Sequence, residues 1–143
     1  MDLTLQQADT IVRVALEKAR AEKFKPMAVA VLDARGCLKA FAAEDGTSLL
    51  RAEIAHGKAY GALALGIPSR AIGKRAEQQA YFVSAVNTLA RGALVPVPGG
   101  ALIRDGQGRL LGAVGVSGDT SDNDEICARA GVEAAGLKAE CGD

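Results

Sequence analysis

Four acidic residues lie within seven positions of one another, directly after an apolar run and directly before an Ala-rich helical pattern. They are Asp119, Asp122, Asp124 and Glu125. Carboxylates placed together can move a proton to or from a substrate, as an isomerase, lyase or hydrolase requires. The same residues can instead serve the start of a helix, where a side-chain oxygen caps free amides and negative charge favours the helix dipole.

Capping accounts for part of this acidic cluster. Asp122 followed by Glu125 fits a capping box, and Ser121 with Asp124 fits the same pattern in the adjacent register. That role does not need both Asp124 and Glu125. These two carboxylates are therefore the candidates for acid and base chemistry.

The helix that follows the acids is expected to bury an apolar stripe through Ile126 and Leu137. On that helical wheel Asp124 faces away from the stripe, and Glu125 lies at its edge near Arg129. We therefore expect Asp124 to be solvated in a monomer, or to reach a second subunit in an oligomer.

A lysine lies on the apolar side of the helix that is predicted to end at Gly66. Lys58 falls in the middle of that side, and Arg51 precedes it by about two turns. Burying an unpaired ammonium group is costly. Lys58 therefore either enters a pocket to meet a carboxylate or an anionic ligand, or extends along the helix edge to solvent. The first alternative makes Lys58 a candidate catalytic residue.

His56 is the single histidine of the chain. An imidazole can ligate haem or a metal, or move protons, and an exposed surface histidine is the alternative. One histidine cannot build a metal cage from protein ligands alone, and the three cysteines show no metal-ligand spacing. We therefore predict no metal site made by the protein itself.

Two glycine-containing stretches could bring the backbone close to a ligand. Gly99-Gly100 precedes a predicted strand, where glycine permits positive φ and a close approach. Ser117-Gly118 ends a predicted strand just before a helix, where free amides can hold an anion. Plain turns are the alternative at both places.

Apolar periodicity and turn signals predict the elements that position these residues. They are a helix over 4–22 with a Thr4/Gln7 capping box, strands over 27–33 and 37–42, a helix ending at Gly66, a short helix from Pro68 to about Gln79, two strands flanking Asp105-Gly106, and a helix over about 122–139. Residues 82–103 are expected to be a linker region with one extended piece at 93–95. Paired strands joined by hairpins predict an α+β fold, an antiparallel sheet flanked by helices, in a single domain over 1–143.

Charge and composition restrict the partners. Lysine plus arginine balance aspartate plus glutamate at 17 each, so no basic surface for nucleic acid is expected. No apolar stretch reaches the roughly 20 residues that span a membrane. Three cysteines are typical of free thiols in an intracellular protein, which predicts a cytoplasmic location. A neutral chain has little charge repulsion to oppose self-association, so we expect a homo-oligomer.

Several motifs, in this order and spacing, resemble those of the GlcG/HbpS-like family, which includes the C-terminal domain of PduO-type proteins. They are "VAVLDARGCLKAF" with "DG" at 45–46, "IAHGKA" at 54–59 with Gly66 and Pro68-Ser69 after it, "PGGALI" at 98–103, and "GAVGVSG" with "DNDEICA" over 112–128. The resemblance covers almost the whole chain. The family pattern matches at Asp45, Gly46, Lys58, Ala59, Gly99, Gly100, Ser117, Gly118, Asp124 and Glu125.

The resemblance implies a PAS- or profilin-like fold that often assembles into multimers. It also implies a small-molecule ligand, since relatives bind haem or are linked to corrinoid, glycolate or other small-molecule pathways. Asp45 joins the candidate ligand-binding residues on this ground. The chain departs from the family pattern at Ala43-Glu44, where Arg-Met is usual, at Gly61, where Thr is usual, and at Leu102, where Pro is frequent.

Two functions follow from these residues, and both stay open at this point. The first is a small-molecule-binding protein with haem or a related tetrapyrrole as the candidate ligand and His56 as the candidate imidazole. The second is an enzyme acting on a small organic acid in a catabolic pathway. In that case Lys58 would anchor an anionic group, Asp124 or Glu125 would move a proton, and the Gly-Gly and Ser-Gly amides would cradle a carboxylate. A sensor or accessory module without chemistry is a third alternative.

Overall fold

A computed structural model describes residues 2–142 of the chain. Five helices and five strands occur in this range. They are α1 (Leu5–Ala21), β1 (Ala28–Asp33), β2 (Leu38–Ala43), α2 (Arg51–Leu65), α3 (Ser69–Gln78), α4 (Ala80–Leu89), β3 (Gly100–Arg104), β4 (Leu110–Ser117), α5 (Ser121–Ala134) and β5 (Lys138–Glu140). The strands form one sheet in the order β2-β1-β4-β3-β5, with every neighbouring pair antiparallel. The predicted α+β fold is confirmed.

The two faces of the sheet are covered by different helices. Helices α1 and α5 pack together on one face, over Val29, Val31, Val114 and Val116. Helix α2 packs on the other face, against β4, β1 and β3. Alternate residues of a strand point to opposite faces, so β4 serves both layers and is buried on both sides.

Helix α2 lies unusually close to the sheet because the strand beneath it carries a glycine. A Cβ placed on Gly115 would lie 1.8 Å from the carbonyl oxygen of Ala55. No side chain fits into that space, so the α2 backbone rests directly on β4. This close approach brings Lys58, one turn further along α2, to the end of the sheet.

The start of the chain folds as the sequence predicts. The Thr4 hydroxyl accepts from the Gln7 amide at 3.0 Å, and the Gln7 side chain accepts from the Thr4 amide at 3.0 Å. This reciprocal capping box begins α1. The hairpin of β1 and β2 and the hairpin of β3 and β4 are also as predicted.

Two elements differ from the prediction. The expected linker over 82–103 contains most of helix α4, and the piece at 93–95 that was expected to be extended has no regular structure. Helix α4 carries no charged residue, and the turn signals at Arg91-Gly92 and Pro98-Gly99-Gly100 favoured a linker there. The expected helix over 122–139 ends at Ala134, and the chain turns at Gly136 (φ 77°) into β5, which pairs with β3. A strand of three residues is defined by that pairing rather than by its own sequence.

Candidate functional site

A buried ion pair joins α2 to the start of α5. Lys58 is 2% exposed and Asp124 is 1% exposed. The Lys58 Nζ donates to Asp124 Oδ2 at 3.0 Å and to the Val116 carbonyl oxygen at 2.9 Å. Lys58 therefore meets a carboxylate, which was one of the two alternatives for it. The expectation that Asp124 is solvated or reaches a second subunit is wrong.

The error about Asp124 has a physical origin in α5. The helix buries a stripe of small residues rather than its large apolar ones. The stripe consists of Asp124, Cys127, Ala128, Gly131 and Val132. A Cβ on Gly131 would lie 2.5 Å from the Ile11 carbonyl oxygen, so small residues are what allow α5 to pack on α1. Ile126, which was assigned to the core, is 44% exposed.

The electrostatics of the pair are set by burial. Burial lowers the pKa of Lys58, the charge of Asp124 and its hydrogen bond oppose that shift, and the nearby Arg51 adds to it. The second carboxylate oxygen of Asp124 accepts from the Asp119 amide at 2.9 Å. Among the described residues every buried side-chain nitrogen and oxygen has a hydrogen-bond partner. The pair is thus enclosed and internally satisfied.

Gly99 and Gly100 pack against the lysine. A Cβ on Gly99, whose φ is +121°, would lie 2.8 Å from Lys58 Nζ. A Cβ on Gly100 would lie 2.4 Å from the Lys58 carbonyl oxygen. The Gly100 amide donates to the Ser69 hydroxyl at 2.7 Å. The glycines make room for Lys58, and the Gly100 amide is already used inside the protein.

Ser117 and Gly118 are likewise buried in the packing. The Ser117 hydroxyl accepts from Arg51 Nη1 at 3.2 Å. A Cβ on Gly118 would lie 2.2 Å from the Pro26 carbonyl oxygen. The sequence placed Arg51 near Lys58 but gave no sign of its contact with Ser117, which is 66 positions away.

The turn before α5 is held by Asp119 and Thr120. Thr120 is the helix N-cap, with its hydroxyl accepting from the Asn123 amide at 3.2 Å. The sequence predicts Asp122 or Ser121 as the N-cap, so the observed N-cap lies one or two positions earlier than predicted. The Asp119 carboxylate accepts from the Lys25 and Thr120 amides and from the Asn123 side chain. These bonds lower the pKa of Asp119 to about 2.

Glu125 and Asp124 do not share a site. Glu125 pairs with Arg70 on α3 through two hydrogen bonds of 3.1 and 3.2 Å, and Asp122 contacts the same guanidinium. Both carboxylates raise the pKa of Arg70. The sequence placed Glu125 near Arg129. The contact of Glu125 with Arg70, 55 positions away, was missed because no sequence pattern brings α3 and α5 together.

His56 lies on a different side of α2 from Lys58. It is half-buried and stacks on Tyr60, with ring centroids 6.1 Å apart and planes inclined by 15°. Tyr60 lies beside Gly36 in the β1–β2 turn, so this flank of α2 faces β2. On that strand Phe41, at 43% exposed, and Ala43 pair with Ala30 and Ala28, which α2 covers.

The same face of β2 is left open by α2. We call Phe41, Ala43, His56 and Tyr60 the open shelf. Asp45 lies in the exposed turn that follows β2, apart from the ion pair. Within residues 2–142 no three His, Cys, Asp or Glu side chains group together as metal ligands would. The candidate residues therefore divide into an enclosed ion pair, a surface cluster around Arg70 and the open shelf.

Comparison with known proteins tests the family resemblance of the chain. The model of the family described as "Haem degrading protein HbpS-like" matches residues 3–133. No curated protein sequence matches the chain significantly. No helix in the described range is long and apolar enough to cross a membrane.

Several crystal structures share the fold. The PduOC–haem complex is 22% identical, with a TM-score of 0.88 over 98% of this chain and 99% of that chain. HbpS is 29% identical, with a TM-score of 0.78 over 93% and 89%. The Klebsiella pneumoniae protein ORFY is 24% identical, with a TM-score of 0.81 over 94% and 90%. The resemblance drawn from the sequence motifs is confirmed, and the chain belongs to the HbpS-like family.

Proposed function

We propose that the chain binds haem or a related tetrapyrrole on the open shelf, with His56 as the iron ligand. The observation that carries this proposal is the position of the single histidine. His56 is accessible on the flank of α2, beside an aromatic ring and next to an uncovered apolar strand face.

The residues of the shelf fit the chemistry of the group. Haem iron is commonly held by a histidine imidazole, and its macrocycle needs an apolar surface. Tyr60 and Phe41 offer aromatic area, and Ala43 leaves room beside them. A bound haem would supply iron that can accept an electron or bind a further small molecule. Membership of a family described as haem-degrading, and the haem complex of PduOC, support the choice of ligand.

Titration of the purified protein with haemin tests this proposal. Wild type should shift the Soret band of haemin at a stoichiometry of one per chain, and His56→Ala should change the position of that band. Ile126→Ala, on the opposite layer of the fold, is the control and should behave as wild type. A protein that leaves the haemin spectrum unchanged would rule out haem as the ligand.

No observation favours the alternative, an enzyme acting on a small organic acid. Lys58 and Asp124 are enclosed and satisfy each other, so neither faces a space that a substrate could enter. Glu125 is held by Arg70. We propose instead that Lys58 and Asp124 fix the start of α5 against the sheet. Turnover of a hydroxy or keto acid by the pure protein would revive the alternative.

We also propose that the protein works as a homo-oligomer in the cytoplasm. The formal charge of zero supports self-association, since no net repulsion opposes it. None of the three cysteines, Cys37, Cys127 and Cys141, forms a disulfide within residues 2–142, which suits a reducing compartment. Burial raises the pKa of the Cys127 thiol to about 12, so that cysteine stays protonated and inert.

A further inference from the structure

Arg51 begins α2 as a partly buried cation that forms no ion pair within residues 2–142. Its Nη1 donates to the Ser117 hydroxyl at 3.2 Å, and that hydroxyl is a neutral acceptor. Arg70 and Arg104 are partly buried as well, and each of them pairs with a glutamate. A guanidinium has several N–H donors in a planar fork, so Arg51 can take a further acceptor besides Ser117.

Two carboxylates at this end of the sheet are engaged by other groups. Asp124 accepts from Lys58 with one oxygen and from a backbone amide with the other. Glu44 forms an ion pair with Arg20 at 2.9 Å. Burial lowers the pKa of Lys58, and the positive charge of Arg51 lowers it further, so the two cations lie close together. An anionic ligand that reached Arg51 would reduce this repulsion.

The register of the sheet places Arg51 on the same face as the open shelf. Ala43 of β2, Ala28 of β1 and Ser117 of β4 lie side by side in one row. Ala55 of α2 packs on Ala28, so the side chains of this row point to the face that α2 covers. Neighbouring strands lie about 4.8 Å apart, so the Ser117 hydroxyl that holds Arg51 lies roughly 10 Å from Ala43.

We propose that Arg51 binds a carboxylate of the tetrapyrrole on the open shelf, an inference that rests on the proposed haem site. Haem carries its propionate carboxylates at one edge of the macrocycle, and a guanidinium binds a carboxylate through paired N–H donors. With His56 on the iron and Arg51 at the end of the sheet, the carboxylate edge of the ligand points to the start of α2. The site is therefore selective for tetrapyrroles whose carboxylates are free.

Parallel titrations with haemin and with its dimethyl ester test this inference. Arg51→Met should raise the dissociation constant for haemin by about tenfold, the scale of a lost charge-assisted hydrogen bond, and leave that for the ester unchanged. The Soret band of bound haemin should keep its position, because His56 still holds the iron. Arg13→Met, on α1 in the opposite layer, is the control and should match wild type with both ligands.

A second measurement uses the wild-type protein alone and does not depend on the folding of a variant. Added salt screens the attraction between a cation and an anion at a partly exposed site. The affinity of wild type for haemin should therefore fall as the salt concentration rises, and its affinity for the ester should stay constant. Arg51→Lys, which keeps the charge but loses the planar fork, should keep the salt dependence and bind haemin less tightly than wild type.

The outcomes separate this inference from the haem site itself. A wild-type protein that leaves the haemin spectrum unchanged overturns both. A protein that shifts the Soret band but binds haemin equally well with and without Arg51 overturns the role of Arg51 alone. The same holds if Arg51→Met weakens haemin and its ester equally, or if wild type binds both with the same affinity at every salt concentration, because Arg51 would then touch no carboxylate of the ligand.

Discussion

At the scale of single residues, the enclosed pair of Lys58 and Asp124 explains several features that looked like separate ligand contacts. The glycines at 99 and 100 are small because the lysine passes against them. The Asp119 amide donates to Asp124, which ties the turn after β4 to the same carboxylate. Residues that match the family motif are therefore joined in one structural network.

Replacing one member of this ion pair should destabilise the folded protein. Lys58→Met leaves the Asp124 carboxylate buried without its cation, and Asp124→Asn leaves the ammonium group uncompensated. Each single change should lower the free energy of unfolding by about 3–5 kcal/mol. The double variant should cost clearly less than the sum, because neither charge is then left alone.

Urea unfolding of the four proteins in this cycle provides the measurement. Arg13→Met is the control, since Arg13 and Glu17 are each 61% exposed and an exposed pair contributes less than about 1 kcal/mol. Single changes that cost no more than this control, or that add up without coupling, would show that the pair does not hold the fold.

Asp119 should make stability depend on pH in acid. Its folded-state pKa of about 2 lies below the usual 3.8, because three hydrogen bonds favour the carboxylate. The stabilisation is therefore complete above about pH 4 and is lost as the pH falls towards 2. A shift of one pKa unit corresponds to about 1.4 kcal/mol. Solvent screening reduces the contribution of Asp119 to the free energy of unfolding to roughly 1–2 kcal/mol.

Chemical unfolding between pH 7 and pH 2 should reveal this dependence. Asp119→Asn should lower stability at pH 7 and flatten the loss of stability between pH 4 and pH 2. Asp9→Asn, on the exposed side of α1, should keep the wild-type slope. An unchanged slope in Asp119→Asn would mean that other carboxylates govern the acid transition.

At the scale of elements, the sequence predicts those helix ends and hairpins that short local patterns define. The α1 capping box, the two hairpins and the end of α2 at Gly66 all follow from short patterns. The buried face of α5 does not, because its packing on α1 selects small residues and leaves Ile126 outside. The pair of Lys58 and Asp124 lies 66 positions apart in the chain, so only the folded sheet brings it together.

The contact between α2 and β4 should be sensitive to a single methyl group. Gly115→Ala places a Cβ 1.8 Å from the Ala55 carbonyl oxygen, so the helix must move away from the strand. We expect a loss of about 1–3 kcal/mol or more in the free energy of unfolding. Gly106→Ala is the control, because a Cβ there meets nothing within 4 Å. Equal thermal melts for the two variants would contradict the close packing.

At the scale of the whole molecule, one helix covers most of a sheet face and leaves its edge strand open. Helix α2 packs on three strands, and Phe41 and Ala43 of β2 stay exposed. The open shelf exists only because of how α2 lies across the sheet, which no motif in the sequence predicts.

A charge on the shelf should weaken haem binding. Phe41→Asp places a carboxylate where the macrocycle needs an apolar surface, so the dissociation constant for haemin should rise about tenfold. Ile126→Asp is matched in exposure, at 44% against 43%, and lies on the opposite layer. Equal haemin affinities for these two variants, measured by Soret titration, would place the ligand elsewhere.

The most direct measurement is imidazole rescue of the His56→Ala variant, followed by the Soret spectrum of its haemin complex. If His56 is the iron ligand on the open shelf, the variant should lose the wild-type spectrum, and free imidazole should restore it by occupying the vacated position. A His56→Ala complex that already shows the wild-type spectrum without imidazole would contradict the central claim.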